Sequence, residues 1–239
     1  MGNFLTALAN FWSALSGMAI GVGQFYADPS NNLGGETVSF IQLCLVSILI
    51  ATAIGVLLGM AVSRTAILAF VAVNLSGLMR AIPIIAFLIA AVPFLGIGFK
   101  PAVVAMIVLG IPPVLLNTYT GLRDIDPSII DAARGMGMTN GQIMVRVQLP
   151  LVLPILAAGV RTAAVQIIAT APLAAFIGAG GYGDYIVDGF YKLHPVEILA
   201  GAVPVALIAL LVEVGMGWLE RLLTPAGLQN KGLLETAGA

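Results

Sequence analysis

Residues 131–150 read DAARGMGMTNGQIMVRVQLP: one carboxylate, two arginines, three glycines and a Thr-x-x-Gln pattern inside an otherwise apolar chain. On either side lie apolar runs, 101–122 and 151–176, each long enough to cross a bilayer whose roughly 30 Å hydrocarbon core takes about 20 apolar residues per helix. Three further runs, 38–63, 66–95 and 196–218, are of the same kind. The chain is 60% hydrophobic and 9% charged, where a soluble domain carries roughly 25% charge. In hydrocarbon every backbone N–H and C=O needs an internal partner, which leaves helices or a closed barrel. The runs lack period-2 alternation, so they predict an all-α integral membrane protein with five spans.

Three segments follow. Residues 1–36 contain a stretch, 4–25, that is either an extra membrane helix or an interfacial one. Asn10 and its small-residue breaks favour the interfacial reading, and the turn-forming ADPSNNLGG ends it. No Lys or Arg precedes the apolar part, which argues against a signal peptide. Residues 37–225 form the membrane domain, including two extramembrane helices within 126–149, and 226–239 form a tail. Cytoplasmic loops collect Lys and Arg. With five spans Arg64, Arg123, Arg134, Arg146, Arg221 and Lys231 fall on one side, Lys100 and Lys192 on the other, and Arg80 and Arg161 within spans. That places the 123–150 segment and the C-terminus in the cytoplasm.

The opening stretch belongs to a hairpin. Asp126-Pro127 is a helix start, with an Asp side chain for the orphan N–H groups and a proline where no bond is lost. Asp131 lies early in that helix, facing its positive end. Gly135 and Gly137 bracket the first helix end, Thr139-Asn140-Gly141-Gln142 has the form of a capping box that restarts a helix, and Leu149-Pro150 predicts its end. Ile129, Ile130, Ala132, Ala133, Met136, Met138, Ile143 and Met144 give the hairpin apolar surface and no evident core. Such a surface packs on headgroups or on a cytoplasmic partner, with Asp131 and Arg134 at the rim.

Asp131-Ala132-Ala133, three residues, Gly137, nine residues, then Val147-Gln148-Leu149-Pro150 resembles the EAA loop (E-A-A, x3, G, x9, I-x-L-P) of permease subunits in bacterial ABC importers. Asp stands for Glu and Val for Ile. GVRTAAVQIIATAPLAAFIGAGGYGDYIVDGF and PVEILAGAVPVALIALL are similar to the branch that imports glycine betaine, carnitine and choline. The resemblance, over roughly 37–225, implies a type I importer permease fold with five core helices in the bacterial cytoplasmic membrane. It also implies a second permease subunit, alike or related, two ATPase subunits and an external substrate-binding protein. The coupling helices that dock on the ATPase would then carry Asp131, Ala132, Ala133, Arg134, Gly137, Met138, Val147, Leu149 and Pro150. Another small solute such as an amino acid is the alternative cargo, and an ATP-independent secondary transporter is the rival class.

The chain's own chemistry is spare. No G-x-x-x-x-G-K-[ST] loop occurs, so ATP and Mg are expected on the partner ATPase, with no cofactor, metal site or enzymatic activity in this chain. Gly178-Ala179-Gly180-Gly181-Tyr182-Gly183 fits G-x-G-x-x-G, but it ends a span rather than joining a strand to a helix. A close approach or a bend near a gate suits it better than a nucleotide. His194 and Cys44 are single, and a net charge of −1 offers no field for nucleic acid. Inside the spans Arg80, Arg161 and Glu213, with Asn117 and the four-residue repeat Thr162, Gln166 and Thr170, either line a pathway or hold helices together. Arg80 precedes Pro83, where the helix should kink.

Overall fold

The computed structural model describes residues 2–223, which are helical with no strand among them; the expected tail at 226–239, with Lys231, lies outside the described residues. α1 (Gly2–Ala27) is one helix of 26 residues. Its C-terminal end docks on a later helix, the Tyr26 hydroxyl donating to Ala200 O at 2.8 Å. A short 3-10 turn, Pro29–Asn31, capped by Asp28, leads into α2 (Leu33–Val62). Thirty proline-free residues make α2 about 45 Å long.

The run at 66–95 is not one straight span. It folds as α3 (Ala66–Ala81) and α4 (Ile84–Leu95), bent by 93°. Pro83 has no N–H to donate, and it pushes Ile82 into extended backbone at φ −74°, ψ 122°. At about 24 and 18 Å neither piece crosses the hydrocarbon alone. α5 (Phe99–Arg123) is long and apolar enough to cross, as is α10 (Pro195–Leu223). Between them lie α6 (Pro127–Gly135), α7 (Asn140–Ile143), α8 (Leu149–Thr170), a 3-10 segment Ala171–Ile177, and α9 (Tyr182–Tyr191). Among the described residues four helices are long and apolar enough to cross a membrane, five if the bent pair is one span.

Pro150 does not stop its helix. Met144–Gln148 forms one π-helical turn in which Leu149 N–H donates to Met144 O, five residues back. The widened turn absorbs the missing donor and the ring of Pro150, a usual way for a helix to accommodate an insertion without ending. α7, the π turn, α8 and the 3-10 segment therefore make one rod, Asn140–Ile177, of 38 residues.

The core sits where α2, α5 and α8 meet. On α2 Ser47, Ala51, Gly55 and Gly59 recur every four residues and all are buried, the small-residue stripe that lets membrane helices approach closely. A Cβ on Gly59 would stand 2.6 Å from Thr118 Cβ and 2.9 Å from Leu115 O; one on Gly159 of α8 would stand 2.7 Å from Asn117 Cβ. Around this contact Phe40, Leu43, Leu88, Met106, Val114 and Ile167 are buried almost completely. Gly59→Ala is expected to cost about 1–3 kcal/mol by overpacking. Gly23→Ala, with nothing within 4 Å, should be neutral or gain up to about 1 kcal/mol from helix propensity. Thermal unfolding of the purified protein in detergent would compare the two.

Candidate functional site

The hairpin between α5 and α8 is built by its caps. Asp126 accepts from Ser128 N–H at 2.8 Å and Pro127 opens α6. At the far end Gly137 N–H donates to Arg134 O (2.9 Å) and Met138 N–H to Ala133 O (3.2 Å). Those two bonds make a Schellman motif with Gly137 at the left-handed position, and its φ is +79°. Thr139 and Gln142 close a reciprocal capping box, Thr139 N–H donating to Gln142 Oε1 at 2.9 Å and Gln142 N–H to Thr139 Oγ1 at 3.4 Å. The turn is thus fixed from both sides by residues that sequence spacing alone singles out.

The hairpin's apolar residues divide. Ala133 and Ile143 are buried, so they hold the hairpin to the body rather than present a surface, against the expectation of a loop with no core. Ile129, Ala132, Met136 and Val145 remain exposed; Met138, Val147 and Leu149 are half-buried, and Pro150 is exposed. Asp131 and Arg134 pair at 3.6 Å with both side chains largely in solvent, worth little in stability but free to re-pair with a partner. A cleft of about 690 Å³ separates the hairpin from the turn between α2 and α3, lined by Ser63, Arg64, Arg134, Met144 and Gln148 among others. Arg123 joins Arg134 in an adjoining hollow. Asp131 lines the same hollow, so cations and a carboxylate meet at this end.

Within the spans several of the polar residues are tied down. Arg161 Nη1 lies 3.4 Å from Glu220 Oε2 and 3.8 Å from Glu213 Oε1. The two carboxylates share one face of α10, and Gly217 between them leaves room for the guanidinium, whose Nη1 would be 3.1 Å from a Cβ there. Asn117 Nδ2 donates to Pro113 O, Thr162 Oγ1 to Ala158 O and Thr170 Oγ1 to Gln166 O, at 2.7–2.9 Å. Each bond stays within its own helix, so none of the three stitches helices together; Gln166 is half-buried beside them. Arg80 is exposed in the last turn of α3, where a cation suits the negative helix end, and has no ion pair with a described residue.

At the opposite end the structure brings forward a residue that sequence reasoning passed over. Glu36, in the first turn of α2, accepts from Gly181 N–H at 2.6 Å. Gly181 is the N-cap of α9 at φ +90°. Beside this bond Thr37 and Tyr182 share a hydroxyl hydrogen bond of 2.8 Å, Phe40 packs on Tyr182 with ring centroids 5.2 Å apart, and Tyr185 OH donates to Asn31 O. The glycine-rich G-x-G-x-x-G stretch is a backbone docking point for a carboxylate of the same chain. A lone acidic residue just ahead of the first long apolar run was the available signal.

Burial, then the charges of Glu36 and Asp188, push the Asp184 carboxyl up from 3.8 to about 6. The fold therefore favours its neutral form, and ionisation weakens the contact between α2 and α9 progressively from about pH 4 to about pH 6, the penalty being complete at neutral pH. Unfolding of the detergent-purified protein across that range should show stability falling as pH rises, and Asp184→Asn should flatten the slope and stabilise the protein at pH 7. For the intramembrane charges, Arg161→Met leaves two carboxylates facing each other, so the α8 contact with α10 should loosen and assembly fail. Adding Glu213→Gln and Glu220→Gln should restore it. A single Arg161→Met variant that stays as thermostable as the parent while losing uptake would move Arg161 to the pathway.

Known proteins resemble this chain in sequence and in fold. The family described as a binding-protein-dependent transport system inner membrane component matches residues 51–226. The carnitine transport permease protein OpuCB of Listeria monocytogenes is 37% identical over 206 residues, 86% of this chain and 94% of that protein. The choline transport system permease protein OpuBB of Bacillus subtilis is 35% identical over 87% of this chain and 95% of its own length. Among solved structures, an inward-facing conformation of the MetNI methionine ABC transporter aligns with a TM-score of 0.73 at 24% identity, covering 81% of this chain and 96% of that one; at that identity the likeness is one of fold. The chain is a multi-pass permease of ABC importers and belongs to the family of binding-protein-dependent transport system inner membrane components.

Proposed function

We propose that this permease carries a small quaternary-amine osmoprotectant of the glycine betaine, choline and carnitine class into the cell. The observation that carries the solute class is the match to carnitine and choline permeases along more than four-fifths of both chains. In this reading ATP and Mg are held by separate ATPase subunits that grip α6 and α7. A second permease subunit, alike or related, completes the path, and an external binding protein delivers the solute. The hairpin, with Arg64, Arg123, Arg134 and Arg146, faces the cytoplasm, as does the C-terminus, while α1 stays a peripheral membrane helix outside the core.

The fold supports a lever mechanism. Ala132, Met136 and the pair of Asp131 with Arg134 are presented on a hairpin stiffened at both caps. The second arm of that hairpin continues into α8 with no loop between them. Closure of an ATPase pair would move the hairpin as a unit, and the rod would carry that motion across the membrane, a rigid-body transition between inward and outward access. Arg146 and Val145 lie exposed on the π turn, where hairpin becomes span.

Gly137 gives the sharpest test, because open space surrounds it and only its backbone demands glycine. At φ +79° Gly137→Val is strained by about 1–2 kcal/mol or more, while Gly137→Asn adopts the left-handed region at smaller cost. Co-purification with the ATPase and uptake of labelled choline should fall for the valine variant and largely survive for asparagine. Wild-type association and uptake by Gly137→Val would overturn the docking reading. Titration of the cognate binding protein with choline, glycine betaine, carnitine and amino acids decides the solute class, an amino acid alone being the result against it.

A further inference from the structure

Glu36 sits at the far end of a mechanical connection that starts in the hairpin. The rod Asn140–Ile177, roughly 55 Å long, stops one residue before Gly178. Gly178, Gly180 and Gly181 then take φ of +69°, +77° and +90°, backbone states that glycine enters without the strain other residues meet. Immediately after them α9 begins, and its cap N–H is the one Glu36 holds. Any displacement of the rod along its axis is therefore passed on to this glycine segment and to the bond that pins it to α2.

We propose that Glu36 is a positioning residue of the outer gate: its carboxylate latches the glycine segment and α9 to the first turn of α2, and the latch must open for solute to enter from outside. The inference rests on the reading of this chain as an ATP-driven permease. Two features fit a latch better than a permanent joint. The carboxylate is held by an orphan N–H at the positive end of a helix, a site that accepts an anion without enclosing it. Asp184, three residues into the same helix, brings a second carboxylate to the same end, with Asp188 one turn further on. Lys192 engages Asp188 and Glu197 at 3.5 and 2.9 Å and so compensates the outer part of α9, not its N-terminus. The repulsion keeps the closed contact shallow, and Tyr182 and Tyr185 supply re-docking contacts through Thr37 and Asn31.

A disulfide across the latch tests this. A Cβ on Gly180 would lie 3.7 Å from Ser39 Cβ, within the spacing a disulfide needs, about 3.5–4.5 Å. Ser39→Cys with Gly180→Cys is placed in a Cys44→Ala background, since Cys44 is the sole native cysteine. The protein is reconstituted with its ATPase and binding protein in liposomes, and uptake is measured oxidised and then reduced. Oxidation should lower solute uptake about tenfold or more, with recovery on reduction; the reduced protein serves as baseline for any cost of cysteine at Gly180. Cross-linked protein that transports like the reduced form, or failure of the disulfide to form, overturns the latch and leaves the permease reading intact. Loss of ATP-dependent uptake in the parent complex itself overturns that reading instead. Independently, Glu36→Gln keeps an acceptor oxygen and should keep the parent's ratio of ATP hydrolysed to solute moved. Glu36→Ala should raise that ratio, and an unchanged ratio counts against the latch.

Discussion

The approach of α2 to α5 at Gly55 and Gly59 is the contact on which the rest of the molecule depends. Lipid tails are as apolar as leucine, so burial gives membrane helices little reason to associate; close van der Waals packing must do it instead. With Val114 and Thr118 filling the space a Cβ would take, the two helices come near enough for backbone to meet side chain. α5 becomes the most enclosed of the candidate spans, with 56% of an 18-residue stretch of it buried, and α8 is laid against its other side through Gly159 and Asn117. Pro112 and Pro113 are tolerated in α5 because this surround encloses them, and Thr118, buried there, returns its hydroxyl proton to Val114 O.

A rigid core makes a long element useful. Because α5 backs α8 along much of its length, a force on α7 bends neither helix readily and passes instead to the ends. The π turn lies outside that backing, at the level of the hairpin, and takes up the irregularity of Pro150 where it does not disturb the packed region. Stiffness in the middle and irregularity at both ends, a π turn on one side and three positive-φ glycines on the other, describe a part that moves as a body.

Much of this could be read from the residues. The apolar runs located the spans, Asp126-Pro127 and Thr139-x-x-Gln142 located both helix starts, and Gly137 marked the left-handed turn between them, because caps are local and depend on a few neighbouring side chains. What escaped was long-range. Pro83 announced a kink, but its 93° size depends on what α3 and α4 pack against. Pro150 looked like a stop because a regular α-helix forbids it; one π turn removes the conflict, and no residue type specifies that turn. Glu36 and Gly181 are 145 residues apart, so neither predicts the other, and the GVLLG spacing at 55–59 was the overlooked sign of close helix contact.

The charge distribution ties these parts to transport. Glu36 and Asp184 lie where α2 meets α9, Arg123 and Arg134 line the hairpin beside Asp131, and the carboxylates reaching toward the span interior from α10 are engaged by Arg161. Such an ion triad gains little net stability where desolvation offsets most of the attraction, yet removing Arg161 would leave Glu213 without this cation. In this geometry it links α8 to α10, Arg161 on one helix reaching two carboxylates on the other. With Glu213 occupied in this way, its charge is engaged by Arg161 rather than left alone in the span.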